Sequence, residues 1–425
     1  MSEAEDGTAR GRLAYVYHPR SFATLLLANT ARELCDIVWV IDSSNSEAVG
    51  MARLLRRFGT IVDVAGLSVE DAAAAIAAEH PDGILALMDE LLQWTSEVAE
   101  KLALPFHSPA TARTLTDKFT QRAALRNAGL PTPRVWLLDE TDLDTGLATV
   151  EAEATFPVVL KPRIGVSSRD TMFATSFEEL RAEFDEVHVG VDGVHREFIV
   201  EEYIPDADHD VAGEGYAGYV SVEGFVSHGR TTPLAISGRT PMAPPFRETS
   251  LIIPGSLQPE DADAVVETAV RAADAVGLTL GFFHTEIKLT PTGPVVIEVN
   301  GRVGGGVPET LEAASGVRVL DIAFRLALGE DVVVPPMPTM DRVAYRLASH
   351  LPPDVHRVTE IDGLDELAAL PGVAGVTLNR GVGQQVDWRE GSIGGVFDVY
   401  GTAADHDELL GVIRFIEERV VVRGE

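Results

Sequence analysis

The chain is poor in cysteine and in positive charge, and it has no long apolar run. One cysteine among 425 residues, Cys35, excludes a disulfide framework or a cysteine-based zinc site within one chain. It follows an apolar run and reads as a small buried residue rather than a nucleophile. Lys and Arg number 34 against 66 Asp and Glu, a net charge of −32. That balance excludes a broad nucleic-acid surface, because phosphate-backbone binding depends on Lys and Arg. It leaves room for a small anion, since a few placed cations reverse the field locally. No segment approaches the roughly 18 apolar residues of a membrane span. The first residues, MSEAEDGTARGR, are acidic and polar with no apolar signal core, so a cytoplasmic protein is expected. No GxGxxG follows the first strand-like run, so the dinucleotide fingerprint is lacking too.

What is present is the composition of a soluble globular protein, 45% hydrophobic and 24% charged. The length implies roughly two to four domains. The runs at 13–17 (LAYVY), 37–41 (IVWVI) and 83–88 (GILALM) read as buried strands. Helical patterns at 22–34 and 69–79 alternate with them, which predicts a parallel α/β layer up to about residue 110. A single helix is expected over 111–128, stopped by Gly129 with Pro131 and Pro133 beyond. Strands are expected at 196–204 and 218–226, and a helix at 260–276. The Pro-, Gly- and Arg-rich stretch 231–256 reads as a loop over a site. A fresh segment from about 335 mixes strand-like runs with helices near 364–370 and 405–418.

Chemistry concentrates in GFFHTEIKLTPTGPVVIEVNGRVGGG, 281–306. Glu286 and Glu298 sit on strand-like runs joined by the turn signal TPTG, which predicts a hairpin. Glu298 and Asn300 are two apart and share a face; Arg302 extends the alternation. Three oxygen ligands suit Mg²⁺, which shares its remaining positions with phosphate oxygens and water. His284 shares the face of Glu286, with a satisfied polar histidine as the plainer reading. Lys161 ends the apolar strand FPVVLK and precedes a loop with Ser167 and Ser168, a point charge and a backbone cradle suited to phosphate. Lys118 lies in the helical run TDKFTQRAALRNA. In IVEEYI, 199–204, Glu201 and Glu202 stand on a strand end able to offer main-chain groups to a purine and a carboxylate to ribose. Arg247 is a candidate partner for a substrate carboxylate, or else a rim salt bridge, and 239–247 is expected to contribute substrate contacts.

Taken in order, Lys118, Lys161, Glu201/Glu202, Glu286, Glu298, Asn300 and Arg302 resemble the ATP-grasp superfamily over roughly 111–327. The continuation EVNGRVGGGVPETLEAASGV and the loop PPFRETSLIIPGSL resemble more narrowly the L-amino-acid ligases and related carboxylate–amine ligases. The resemblance implies an ATP-grasp fold of class α/β and α+β: an N-terminal parallel α/β domain (1–110), two ATP-binding subdomains (111–203 with the small lid, 204–334 with the metal and substrate site) and a C-terminal α+β segment (335–425). It implies ATP and two Mg²⁺, or Mn²⁺, as cofactors, with Glu286, Glu298 and Asn300 as metal ligands. Lys118, Lys161, Ser167 and Ser168 would hold phosphates, with Tyr203 and Ile204 at adenine. Either Asp208 or Asp210 would take the ribose role, because PDADHDV stands where the family has Gly-x-Glu. The loop GVSSRDT is also poorer in glycine than usual. Arg302 and Lys161 would be catalytic; Arg247, His284, Arg302 and Gly305 would meet substrate.

The implied activity is ATP-dependent amide formation between a small carboxylate and an amine through an acyl phosphate. The alternatives are carboxylation in the manner of biotin carboxylase or the purine-pathway enzymes, a specialised-metabolism ligase with an uncommon acid or amine, and a nucleotide-binding regulator without catalysis. A homodimer is the commonest assembly; nucleic acid and membrane partners are not expected.

Overall fold

A computed structural model describes residues 10–188, 196–205 and 211–425. Four parallel strands open the fold, in the order Gly59–Asp63, Asp36–Ile41, Arg12–Val16, Gly83–Leu85. Their runs are apolar almost throughout because helices cover both faces of such a sheet. Trp39 and Tyr15 are fully buried at its centre, packed edge to face with ring centroids 5.6 Å apart. The helix Asp89–Leu102, not anticipated in the sequence, follows the fourth strand.

The single helix expected over 111–128 is two, Pro109–Thr116 and Lys118–Asn127. The break falls at Asp117, whose extended backbone (φ −102°, ψ 104°) ends one helix and whose carboxylate accepts from the N–H groups of Phe119 and Thr120 in the next. An Asp that caps is worth more there than an Asp inside a helix, and the cap wins over the continuous pattern.

A small subdomain carries an antiparallel sheet, Val135–Leu138, Phe198–Glu202, Val158–Pro162 and Met172–Ala174. The helices Leu143–Glu153 and Phe177–Val187 pack on it around Trp136, Leu160 and Phe184. The larger central sheet runs Arg230–Ser237, Tyr219–Ser227, Gly281–Thr290, Gly293–Asn300, all antiparallel. The expected hairpin is the last pair: Glu286 stands opposite Glu298 and His284 opposite Asn300.

The stretch 231–256 is not one loop. It holds the strands Arg230–Ser237 and Ser250–Ile253, with only 238–249 irregular between them. Pro233 misled the reading; it sits at a register shift in its strand pairing, where a missing N–H is tolerated. Ser250–Ile253 pairs not with the central sheet but with Val343–Ser349, which continues to Phe397–Ala403 and Val373–Leu378. The boundary expected at 334/335 therefore crosses a sheet. It also crosses a core, in which Val222, Phe283 and Val296 join Tyr345, Phe397 and Leu409.

Candidate functional site

An open cleft lies between the small subdomain and the central sheet. It is lined by Lys118, Lys161, Ser167, Ser168, Glu201, Glu202, Tyr203, Ile204, Glu286, Glu298, Asn300 and Arg302, gathered from segments far apart in the chain.

Lys118 opens its helix and is buried; its ammonium lies 2.9 Å from Glu298 and donates to Gly165 O at 2.7 Å. The next turn of the same helix grips the strand that carries Glu298 and Asn300. Gln121 accepts from Val299 N–H and donates to Val299 O, both at 2.8 Å. Gly293–Asn300 ends its sheet, so this buried amide stands in for a missing strand at the sheet edge. Arg122, fully buried, donates to Ile297 O and lies 2.7 Å from Glu201. Lys161 meets the other oxygen of Glu201 at 2.6 Å. Burial would raise the Glu201 carboxyl, but Arg122 and Lys161 hold it below the ordinary range.

The loop 163–170 leaves Lys161 and bends over the cleft, with Ser167 and Ser168 in the left-handed region (φ 59° and 56°). Across the cleft, Asn300 Nδ2 lies 3.5 Å from Glu286. Behind them is a buried chain that sequence reasoning missed. His284 Nδ1 is 2.9 Å from both oxygens of Glu223, and Nε2 is 3.6 Å from Glu286. Ser221 and Ser237 also donate to Glu223, at 3.0 and 2.9 Å. Burial opposes charge on His284, yet Glu223 and Glu286 raise its pKa to about 9. Burial likewise opposes charge on Glu286, but His284 and Tyr219 bring its carboxyl down to about 2. Arg239 and Tyr219 both donate to Glu248, at 2.9 and 3.2 Å, and Glu248 lines the cleft.

Among the described residues no group of three or more His, Cys, Asp or Glu side chains stands ready to hold a metal. The donors here are two carboxylates set opposite each other and one amide. That set fits Mg²⁺, which takes one or two carboxylates and fills its other positions from phosphate and water.

Arg302 lies in a bend beyond the strand, which stops at Asn300, so the expected alternation does not reach it. Its guanidinium lines the cleft and meets Asp89 at 2.8 Å, at the start of the helix Asp89–Leu102. Four expectations change. Arg247 is buried and off the cleft; its guanidinium donates to Pro244 O and to Leu351 O at 2.9 Å, anchoring its own loop. His284 stands behind the carboxylates rather than in the cleft lining, and Gly305 is exposed and outside it. Glu201 is taken up by Lys161 and Arg122, which leaves Glu202 as the half-buried carboxylate at that strand end, near Arg134. Asp208 and Asp210 lie outside the described residues.

The missed groups are Asp89, Gln121, Arg122, Tyr219, Glu223, Glu248 and Ser392. One had a signal: Glu223 is the lone acid in YVSVEGFVS, a strand buried at every position, where a charge needs partners.

Residues 154–310 match the model of the ATP-grasp domain family. Carnosine synthase 1 of Gallus gallus is 28% identical over 276 residues, 61% of this chain and 28% of that protein. Alanine–anticapsin ligase of Bacillus subtilis is 31% identical over 220 residues, 49% of this chain and 46% of that one. The chain thus spans less than half the length of either relative. A solved L-amino acid ligase from Bacillus licheniformis superposes with a TM-score of 0.74 at 19% identity, covering 98% of this chain and 99% of that one. A stretch matched to the ATP-grasp domain family thus lies within a chain that shares the fold of that solved ligase over nearly its whole length.

Proposed function

We propose that this protein is an ATP-dependent carboxylate–amine ligase that forms an amide between an amino acid, or a similar small acid, and an amine. The observation that carries the reading is one cleft lined by two lysines together with Glu286, Glu298, Asn300 and Arg302. Relatives named as a carnosine synthase and an alanine–anticapsin ligase support it.

Lys118 and Lys161 bind the phosphates of ATP as point charges, and the loop 163–170 covers them. Glu286, Glu298 and Asn300 would hold Mg²⁺, which offsets charge on the transferring phosphoryl group. A carboxylate oxygen of the acid attacks the γ-phosphorus, the bond to the β–γ bridging oxygen breaks, and ADP leaves. The amine then attacks the acyl carbon; phosphate departs with the C–O bonding pair, and the nitrogen loses a proton. Arg302, oriented by Asp89, stabilises the oxygen charge that develops in both steps. The covering loop excludes water, which would otherwise hydrolyse the acyl phosphate.

The test is phosphate release from MgATP across single and paired amino acids, with bicarbonate alone and a blank as controls. Release that needs an acid and an amine, with an amide mass in the products, is the expected result. Release with bicarbonate alone would replace amide formation by carboxylation. MgATP binding without release under any condition would leave a nucleotide-binding regulator.

A further inference from the structure

Two walls of the cleft meet at Ser392, a residue of the last part of the chain. Its backbone N–H donates to Ser167 O at 2.9 Å, in the loop over the phosphates. Its Oγ accepts from Glu248 N–H at 2.9 Å, in the loop 238–249. His350 Nε2 lies 2.9 Å from Glu248 O, so the same part of the chain holds that backbone from both ends. Ser392 itself lines the cleft. Beside it, Gly391 has φ 71° and ψ −146°, a conformation essentially reserved for glycine. A Cβ there would lie 2.0 Å from Ser167 O. Close by, Trp388 packs against the core of the small subdomain. A segment serving only its own sheet has no need to touch both walls.

We propose that Gly391 and Ser392 are positioning residues that tie the loop over the phosphates to the substrate wall at Glu248, so that the two are ordered together. The inference rests on the ligase reading. Its value is in the acyl phosphate. Water attacking the acyl carbon expels phosphate and returns the acid, while the amine expels the same phosphate and gives the amide. A covering loop that orders only with the substrate wall favours the second outcome, and amide formed per phosphate released reads it directly.

The two ends of the tie break separately. Ser392→Ala keeps the N–H to Ser167 and removes the acceptor for Glu248. Gly391→Ala drives a methyl group onto Ser167 O. With an acid and amine that the wild-type chain joins, Ser392→Ala raises KM for the acid about two- to tenfold, the scale of one hydrogen bond, and KM for ATP less. Gly391→Ala shows the reverse split. Both lower the yield of amide per phosphate. Folded variants with wild-type KM values and yield would overturn the proposal. Hydrogen exchange with MgATP alone supplies a readout independent of turnover. Binding should slow exchange at 163–171 and 388–392 together in the wild type, and Gly391→Ala should break that link. Independent responses of the two segments also overturn it. A joint response in a protein that releases no phosphate with any acid keeps the tie and removes the ligase reading.

Discussion

At the scale of single residues, Glu201, His284 and Glu286 hold charges that burial would suppress and neighbours restore. Glu298 faces Glu286 and is met by Lys118 rather than by core atoms. Glu298→Gln should therefore lower ADP formation at least about 100-fold, as losing a group that offsets transferring charge does. Its thermal melt should stay close to that of the wild type; near-normal turnover in a folded variant would remove Glu298 from the metal set. His284 gives a pH signature. Its pKa of about 9 lies above the ordinary 6.5, so the stability it contributes is complete below about pH 6.5 and drains as pH rises through about 9. Melting temperature should fall from neutral to alkaline pH, and Glu223→Gln, which removes the main charge holding the proton, should flatten that fall. Equal slopes in the two proteins would contradict this assignment.

At the scale of elements, the helix Lys118–Asn127 is a clamp. Lys118, Gln121 and Arg122 project from one side of it onto Glu298, Val299, Ile297 and Glu201, joining the strand Gly293–Asn300 to the strand Phe198–Glu202 of the small subdomain. Gln121→Leu leaves the N–H and C=O of Val299 buried without their partner, at a cost of about 1–3 kcal/mol. The urea midpoint should drop accordingly, and the Mg²⁺ concentration for half-maximal ATP turnover should rise. An unchanged midpoint would mean that water replaces the amide. Much of this level was legible beforehand. Alternation and a turn signal were enough for the Glu286–Glu298 hairpin, since both are local. The break at Asp117 was not, because a capping residue inside a helical pattern reads as one more polar position. Asp89, Gln121, Arg122 and Ser392 were invisible for a different reason: their roles come from contacts with residues distant in the chain, and neither periodicity nor spacing encodes those.

At the scale of the whole molecule, the cleft is lined by residues between Lys118 and Arg302 and, from the last segment, by Ser392. The strand Ser250–Ile253 belongs to the sheet of the last segment, and one core is shared across residue 334. A chain ended at 334 would expose Val222, Phe283 and Val296 and lose the partner of that strand. It should aggregate or melt without a cooperative transition, in contrast to the full chain; a soluble, cooperatively melting fragment would show the last segment to be an independent addition.

The placement of Ser392 has a consequence for synthesis. Chains emerge from the ribosome N-terminus first, so Lys118, Lys161, the two glutamates and Arg302 are all out before the residue that ties the phosphate loop to the opposite wall. On the reading proposed above, a nascent chain that has reached Arg302 carries the charges that would attract nucleotide but lacks the residue that would fasten the cover. If Ser392 ties that cover as proposed, a closed cleft must wait until the supporting sheet has been made.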